Sequence, residues 1–355
     1  MPARLSEAAA ARFAPRVIDW QRRHGRHDLP WQSTRDPYRV WLSEIMLQQT
    51  QVSTVLDYYP RFLARFLDLA SLAQAPLEQV LGLWSGLGYY TRARNLHRCA
   101  QQLVAEHGGQ FPRSAQQLQA LPGIGRSTAA AIAAFCFGER AAILDGNVKR
   151  VLTRVFGIDD DVGQAAGERA LWQLAERLLP QVDARRAMPR YTQGLMDLGA
   201  TVCTRSRPDC AACPLQDGCV AARSGAPERY PAKRQRAPRS RVTLWLLHAT
   251  DGRGRVWLQQ RPASGIWARL HCLPQYASGD ALLRDVPEAA RAQAIERAPF
   301  THVLTHRELA IHVVEVRVAN SFGAARAGAW HAPDAWPALG LPAPVRRVLE
   351  AAAQP

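Results

Sequence analysis

The chain has 355 residues, 47% of them hydrophobic, so it is long enough to bury one large core or two of ordinary size. Its formal net charge of +15 favours a polyanionic partner, although only two of the 45 Lys and Arg residues are Lys, an Arg bias that genome composition can also produce. No apolar run reaches 18 residues, and charged residues interrupt the N-terminal alanines, so we expect a cytoplasmic protein with neither a membrane span nor a secretory signal.

A helix with a carboxyl group on its apolar side is the first feature of chemical interest. It follows an amphipathic helix at residues 8–25 and is predicted over Tyr38–Gln49, with Asp36 and Pro37 as its N-cap and first-turn residues. On this helix Glu44 shares a face with apolar residues one turn away. Partial desolvation keeps a carboxyl protonated, as a general acid working near neutral pH requires. The alternative is a Glu at the polar edge of an amphipathic helix.

Further helices are predicted at residues 52–66, 76–84 and 92–107, and the last two flank the turn sequence GLGYY. Its tyrosines, Tyr89 and Tyr90, are either core aromatics or rings that stack on the bases of a nucleic acid.

Two short helices joined by a glycine turn come next. Ser114 begins the first with a capping-box pattern, the sequence LPGIG ends it, and an Ala-rich helix running to Phe137 follows. Gly123 and Gly125 in the turn leave backbone N–H groups bare at a helix N-terminus, which attracts anions such as phosphate. The alternative is an ordinary helix hairpin.

A second carboxylate follows the apolar run 141–144. Asp145 is placed to cap a helix over Gly146–Phe156, and the helix dipole there favours the ionised form of a carboxylate.

Four of the seven cysteines are close together, after predicted helices at residues 171–179 and 191–198. They are Cys203, Cys210, Cys213 and Cys219. Four thiolates at this spacing can enclose one metal centre, either tetrahedral zinc or a [4Fe–4S] cluster. The other three cysteines are expected to be small buried apolar residues.

Residues 225–241 form a Pro-rich, basic linker, and the residue pattern after it is typical of strands instead of helices. Strands are predicted at residues 242–249, 255–260 and 309–318, with a turn at Asp251 and Gly252. The sequence therefore predicts a mainly α-helical region, 1–224, and an α+β domain, 242–355.

The glycine hairpin with the downstream Asp145 resembles the helix-hairpin-helix DNA glycosylases. The sequences LPGIGRSTAAAI, LDGNVKRVL, DLPWQSTRDPYRVWLSEIMLQQTQV and LWSGLGYYTRARNLH are similar to the adenine DNA glycosylase (MutY) branch of that superfamily. The sequence GIWARLHCLPQ resembles the MutT-like (Nudix-fold) C-terminal domain of the branch. The hydrolase signature of the Nudix fold, Gly-x5-Glu-x7-Arg-Glu, is missing from the sequence, so this domain is expected to recognise DNA and not to catalyse.

The resemblance implies removal of adenine that is mispaired with 8-oxoguanine or guanine in double-stranded DNA, by a bacterial-type, nucleoid-associated monomer. In the catalytic region it implies that Glu44 is the acid, that Asp145 stabilises the sugar cation, that Asn147 supports Asp145 and that Ser127 is a polar contact near the sugar. It also makes the cysteine loop a [4Fe–4S] site.

For DNA binding the resemblance implies that the hairpin glycines contact the DNA. It also implies that Gln48 enters the space left by the adenine and that Tyr89 is a wedge beside the mispaired base. In the C-terminal domain Leu304, Thr305 and His306 occupy the place of a Phe-Ser-His lesion-recognition loop. Leucine is then a weaker wedge than the aromatic residue.

Two rival functions stay open at this point. An endonuclease III-like glycosylase/lyase requires a lysine amine, but Ser127 occupies the place of that lysine, and only Lys149 and Lys233 are present. A non-catalytic iron–sulfur DNA-binding protein would leave the pairing of Glu44 with Asp145 unexplained.

Overall fold

The computed structural model describes residues 7–159, 161–181, 183–232, 238–324 and 326–353. The chain forms two compact units, the first made of Met1–Ala73 with Arg98–Gln235 and the second of Gln74–His97 with Arg236–Pro355. The sequence did not indicate that the segment Gln74–His97 groups with the C-terminal part. Residues 233–237 of the predicted linker, Lys233 among them, lie outside the described residues.

Most helices lie close to the positions expected from apolar periodicity, but the helices predicted at 171–179 and 191–198 begin earlier, at Ala165 and Ala184. In chain order they are α1 Glu7–His24, α2 Pro37–Leu47, α3 Val52–Arg65, α4 Leu69–Gln74, α5 Leu77–Leu83, α6 Thr91–His107, α7 Ala115–Gln119, α8 Arg126–Ile132, α9 Gly146–Phe156, α10 Ala165–Arg177, α11 Ala184–Asp197, α12 Val220–Arg223, α13 Gly279–Asp285, α14 Glu288–Arg291 and α15 Ala343–Ala352. The strands are β1 Ser240–Thr250, β2 Val256–Gln260, β3 His271–Cys272, β4 Gln275–Tyr276, β5 Ile295–Val303, β6 Arg307–Arg317 and β7 Ala329–His331.

The first unit is all-helical around one apolar core. Buried side chains of α1, α9, α10 and α11 form this core, with Val17, Leu171 and Met188 fully enclosed. Because α1 and α11 pack along each other with small residues at their contact, Gly194 is confined: a Cβ there would lie 2.8 Å from the side chain of Val17. The core fixes the helices that carry the site described below.

The helix hairpin has the expected turn but a different second helix. Ser114 caps α7 by accepting from the backbone N–H of Gln117, and Gly123 has φ +78°, a conformation that favours glycine. The predicted Ala-rich helix is α8 followed by a π-helical turn, Ala133–Phe137, which ends at the left-handed Gly138.

The second unit contains a mixed seven-stranded sheet in the order β3-β2-β1-β6-β5, with β4 paired to β1 and β7 paired to β2. β1 and β6 are parallel in register from Ser240↔Arg307 to Thr250↔Arg317, whereas β5 and β6 form an antiparallel hairpin. Neighbouring residues of β1 belong to different hydrophobic clusters: Leu246 lies in one and Leu247 in the other. Both faces of the sheet therefore carry apolar side chains that are buried in a cluster.

None of the helices in the described ranges is long and apolar enough to span a membrane.

Candidate functional site

Glu44 lies on α2 and faces a cavity of about 240 Å³ in the first unit. Asp36 caps this helix by accepting a hydrogen bond from the backbone N–H of Tyr38 at 3.0 Å. Trp41 and Leu42 of the same helix are fully buried. Burial and, to a smaller extent, the negative charge of Asp145 raise the pKa of Glu44 to about 8. Glu44 is thus a carboxyl group that holds its proton at neutral pH.

Asp145 caps α9, as its position before Gly146 predicted. Its carboxylate accepts from the backbone N–H of Val148 at 2.8 Å. Burial is the largest influence on Asp145 and raises its pKa, so the expectation that the helix terminus alone favours the ionised form is incomplete. The backbone N–H groups of Val148 and Asn147 and the cations Arg150 and Lys149 act in the opposite direction.

The two carboxyl groups differ in what surrounds them. The influences on Glu44 all raise its pKa, whereas four of those on Asp145 lower its pKa. The negative charge of Asp145 is one of the two causes that raise the pKa of Glu44, so an ionised Asp145 favours the protonated form of Glu44. One neutral acid beside one carboxylate is the arrangement that cleavage of a glycosidic bond uses.

The side chains of Ser127 and Asn147, the other two residues predicted for the catalytic region, bind neighbouring groups. The Ser127 hydroxyl accepts from the backbone N–H of Leu144 at 3.0 Å and so ties α8 to the residue before Asp145. The side-chain oxygen of Asn147 accepts from the Arg150 guanidinium at 2.8 Å, so the contribution of Asn147 to Asp145 comes from its backbone N–H.

Gln48 follows α2 and reaches the hairpin. Its side-chain amide donates to the Thr128 hydroxyl in the first turn of α8 at 3.2 Å. Gly125 is the N-cap of α8, and a Cβ there would meet no atom within 4 Å, so the turn leaves open space beside the helix N-terminus.

The Glu44 cavity is also lined by residues that the sequence did not indicate. Gln193 on α11 and Arg26 are two of them, and both bind the fully buried carboxylate of Asp197. Asp197 ends α11 and is 171 residues away from Arg26 in sequence, so no local pattern could have predicted the contact. Both amide atoms of Gln32, another lining residue, are buried without a hydrogen-bond partner among the described residues.

All four clustered cysteines line one small cavity of about 20 Å³. The Arg154 guanidinium donates to the sulfur of Cys203 at 3.4 Å, and burial raises the pKa of the Cys213 thiol to about 12. Across the described ranges, the side chains form no group of three or more His, Cys, Asp or Glu residues arranged to hold a metal ion. The donor set fits a thiolate-bound centre in number and type, and none of the four is in a disulfide.

A second cavity, of about 500 Å³, lies in the second unit. Tyr89 stands at its rim with φ +47° and 49% of its surface exposed, and its hydroxyl is 3.2 Å from the hydroxyl of Thr305. Arg94 donates to the Ala268 carbonyl at 3.0 Å, which ties the start of α6 to the loop after Gly265. The cavity thus joins the GLGYY turn to the hairpin between β5 and β6.

The three predicted lesion-reading residues form this β5–β6 turn. The backbone N–H of Leu304 donates to the Arg307 carbonyl at 2.8 Å, and the His306 carbonyl accepts from the backbone N–H of Ser240 at 3.2 Å. Thr305 and His306 are exposed, whereas Leu304 is half-buried and packs against the core. The apolar side chain that is exposed beside them is Val303, at 52%.

The sequence profile described as "HhH-GPD superfamily base excision DNA repair protein" matches residues 42–177, and that of the NUDIX domain matches residues 245–351. The adenine DNA glycosylase of Buchnera aphidicola subsp. Baizongia pistaciae is 34% identical over 343 residues, which cover 95% of this chain and 95% of that protein. The adenine DNA glycosylase of Mus musculus is 47% identical over 218 residues, or 59% of this chain and 41% of the mouse protein.

Among solved structures, a thermostable thymine-DNA glycosylase matches with a TM-score of 0.55 and 29% identity, covering 62% of this chain and 99% of that one. A non-covalent endonuclease III–DNA complex matches with a TM-score of 0.52 at 20% identity, covering 62% of this chain and 98% of that one, which shows a shared fold.

Proposed function

The chain belongs to the adenine DNA glycosylase family of helix-hairpin-helix base excision repair enzymes, and from this membership we propose that it removes adenine mispaired with 8-oxoguanine or guanine from double-stranded DNA. The observation that carries the proposal is the pair of unlike carboxyl groups, Glu44 with a pKa of about 8 and Asp145 capping α9. The enzyme is proposed to act as a monomer in the cytoplasm, on the nucleoid.

In the proposed reaction the adenine is flipped out of the duplex into the cavity beside Glu44. Glu44 transfers its proton to the adenine, at N7, so that the C1′–N9 bond breaks with its electron pair leaving on a neutral base. Ionised Asp145 stabilises the positive charge that develops on the sugar. Water then adds at C1′ and gives its proton to the Glu44 carboxylate, which restores the acid and leaves an abasic site.

The surroundings of Lys149 support a monofunctional enzyme. A lyase needs an unprotonated lysine amine at the sugar. The Lys149 ammonium is paired with the Glu168 carboxylate at 2.7 Å. At the position where lyases of the superfamily carry their lysine, this chain has Ser127, whose hydroxyl accepts a hydrogen bond from the backbone N–H of Leu144. Strand cleavage by this protein is therefore proposed to be weak or incidental.

The hairpin is proposed to hold the DNA backbone. Gly123 provides the left-handed turn and Gly125 the open helix N-terminus, where backbone N–H groups bind a phosphate. Gln48, anchored through Thr128, is proposed to fill the space from which the adenine has left.

The cavity of the second unit is proposed to receive the base opposite the adenine. Its volume, about 500 Å³, lies in the range of ordinary ligand sites, and its rim offers the Tyr89 ring for stacking. The hydroxyl of Thr305 and the ring of His306 supply the polar groups needed to distinguish 8-oxoguanine, which carries O8 and a proton on N7, from guanine. Leu304 packs beneath them.

The four-cysteine cavity is proposed to bind a [4Fe–4S] cluster with a structural role. When bound, such a cluster supplies a rigid thiolate-linked centre that orders the surrounding loop. The residues that would hold it are Cys203, Cys210, Cys213 and Cys219. Purified protein should be yellow-brown with about four irons per chain. Stoichiometric zinc without visible absorbance would contradict the assignment.

The proposed function is tested by excision assays on duplexes that carry adenine opposite 8-oxoguanine, guanine or thymine, each with and without alkali. Alkali cleaves the abasic strand, so a monofunctional adenine glycosylase gives product bands only after alkali and only with the first two partners. Cleavage without alkali would support the lyase alternative. Binding without excision of any base would support the non-catalytic one.

A further inference from the structure

The turn that carries Tyr89 has a strained backbone. Gly86 has φ +107°, Gly88 has φ +71° and Tyr89 itself has φ +47°. Glycine adopts such angles readily, but a residue with a side chain loses free energy at a positive φ and keeps it only where its surroundings impose it. The Tyr89 ring is 49% exposed, so burial of the ring does not account for its conformation. Other residues must therefore hold the backbone of this turn.

Two buried side chains donate hydrogen bonds to the carbonyl of Gly88. The indole N–H of Trp84 donates to it at 3.1 Å, and the guanidinium of Arg92 donates to it at 3.3 Å. The same nitrogen of Arg92, Nη2, donates to the Leu87 carbonyl at 3.1 Å. Trp84 has no exposed surface and Arg92 is 9% exposed, so packing fixes both donors. On the other side of Tyr89, its own carbonyl accepts from the backbone N–H of Arg92 at 2.8 Å.

The direction of the Gly88 carbonyl decides the φ angle of Tyr89. This carbonyl and the N–H of Tyr89 belong to one planar peptide unit. If the unit rotated by half a turn, the carbonyl would leave Trp84 and Arg92, and φ of Tyr89 would move into the negative range that most residues adopt. The hydrogen bonds to the carbonyl therefore oppose the rotation. They keep the Tyr89 ring where its hydroxyl lies 3.2 Å from the hydroxyl of Thr305.

The Arg92 guanidinium also lies close to two aromatic rings. It is 5.2 Å from the centroid of the Trp84 ring and 5.8 Å from that of the Tyr89 ring, and a cation this close to an aromatic ring is attracted to it. Arg92 thus connects the buried indole to the exposed phenol ring. Because it is buried and donates to backbone carbonyls, Arg92 is poorly placed to bind a DNA phosphate as a surface arginine would.

We propose that Arg92 and Trp84 are positioning residues for Tyr89: they lock the peptide between Gly88 and Tyr89, so that the exposed ring is preorganised to insert beside the base opposite the adenine. Preorganisation removes the cost of ordering the turn when DNA binds. This inference rests on the proposed base excision, and it adds how the wedge is held.

The test measures single-turnover excision of adenine opposite 8-oxoguanine by the full-length protein, as a function of protein concentration. Arg92→Lys keeps the positive charge but loses the planar guanidinium that donates to two carbonyls. The protein concentration at half-maximal rate should therefore rise about fivefold or more, the lower end of the value of one base–aromatic stack. A folded R92K protein with the wild-type half-maximal concentration would overturn the proposal.

A double-mutant cycle separates positioning of the ring from a general structural role of Arg92. Tyr89→Ala removes the ring and should itself raise the half-maximal concentration. In the Y89A protein, R92K should have little further effect, because it acts through the missing ring. If R92K raised the concentration by the same factor with and without the ring, the proposal would be wrong. The exposed Arg98 on α6 provides a matched control, since R98K should keep the wild-type value.

Trp84→Phe keeps the proposal testable if R92K does not fold. Phenylalanine retains an aromatic ring but has no N–H, so the Gly88 carbonyl loses one of its donors. The half-maximal concentration should rise at least about twofold, the value of one modest hydrogen bond, and a wild-type value would overturn the proposal. Wild-type protein that releases no adenine would instead contradict the proposed function itself.

Discussion

The cavities beside Glu44 and beside Tyr89 differ in the groups that line them, and we propose a different task for each. The one beside Glu44 is lined by helices and the segment 26–35, and it contains a carboxyl group with a pKa of about 8 and amide and guanidinium groups bound to the buried Asp197. The one beside Tyr89 is formed by turns, and its rim exposes Tyr89 and Val303. Chemistry requires titratable groups that are desolvated and held still, whereas reading a base requires an accessible surface with a few polar groups. Substitutions in the first cavity should therefore alter rate, and those in the second should alter preference.

The largest expected effect is that of Glu44→Gln. The amide keeps the shape of the side chain but has no acidic proton, so excision should fall by about 100- to 10,000-fold, the usual contribution of general acid catalysis. Binding to mispaired duplex should be retained, as a gel-shift titration would measure. Near-normal turnover would remove Glu44 from the mechanism.

Asp145→Asn should be nearly as severe, with a loss of at least about 100-fold, because the charge opposite the sugar cation disappears. Asn is as good an N-cap as Asp, so α9 should keep its cap and the melting temperature should change little. The two measurements together separate a catalytic carboxylate from a structural one. Full activity in D145N would leave Asp145 as a helix cap.

The pH dependence tests the same pair. Glu44 must be protonated to act, and its pKa is raised from 4.5 to about 8, so the single-turnover rate should be maintained up to about pH 8 and fall about tenfold per unit above it. The pH dependence of the free energy of unfolding follows from the difference in proton binding between the folded and the unfolded protein. The folded protein holds a proton that the unfolded chain releases, so stability is full below about pH 4.5 and declines as the pH rises to about 8.

Glu44→Gln removes the group that causes this decline. At pH 8 the variant should therefore melt a few degrees above the wild type, and the difference should shrink toward pH 5. Equal melting temperatures at both pH values would mean that Glu44 has an ordinary pKa.

The difference between the cavities also decides what the sequence could reveal. The structural settings of Glu44 and Asp145 could be predicted because they are local: Glu44 lies on a capped helix with an apolar face, and Asp145 precedes a helix whose first turn it caps. The contact between Tyr89 and Thr305 joins residues 216 positions apart, and that between Asp197 and Arg26 joins residues 171 apart. Such pairs are created by packing, and apolar periodicity carries no information about them.

Within the fold, α2, α3, α5, α6 and α9 were located to within two residues, whereas α10 and α11 begin six and seven residues before their predicted starts and β5 was missed. Its first five residues are all exposed and it contains Pro299 and a bulge between Arg297 and Phe300, so it lacks the alternation that marks a half-buried strand. The grouping of Gln74–His97 with the C-terminal unit was missed for a similar reason. It depends on contacts such as the one from the Tyr90 hydroxyl to the Leu341 carbonyl at 2.6 Å.

In the second cavity, Thr305→Ala combined with His306→Ala should lower the preference for 8-oxoguanine over guanine by about tenfold or more and leave excision from guanine mispairs measurable. This substitution is a sharper test than truncation after Gly225, because truncation would also remove the contacts of Tyr90 and Arg94. An unchanged preference in the double variant would assign lesion recognition to other residues.

The smallest expected effect concerns which apolar side chain faces the DNA. Successive side chains of a strand point to opposite faces, and at the end of β5 Leu304 packs against the core while Val303 is 52% exposed at the cavity. Val303→Ser should therefore lower the 8-oxoguanine preference only a few-fold, about the value of one apolar contact, with an unchanged melting temperature. Leu304→Ala should lower the melting temperature by several degrees, because it removes packing from the core. The comparison is made by measuring excision and thermal unfolding on both variants. If the preference fell in L304A at constant stability and not in V303S, Leu304 would be the side chain that contacts the base step.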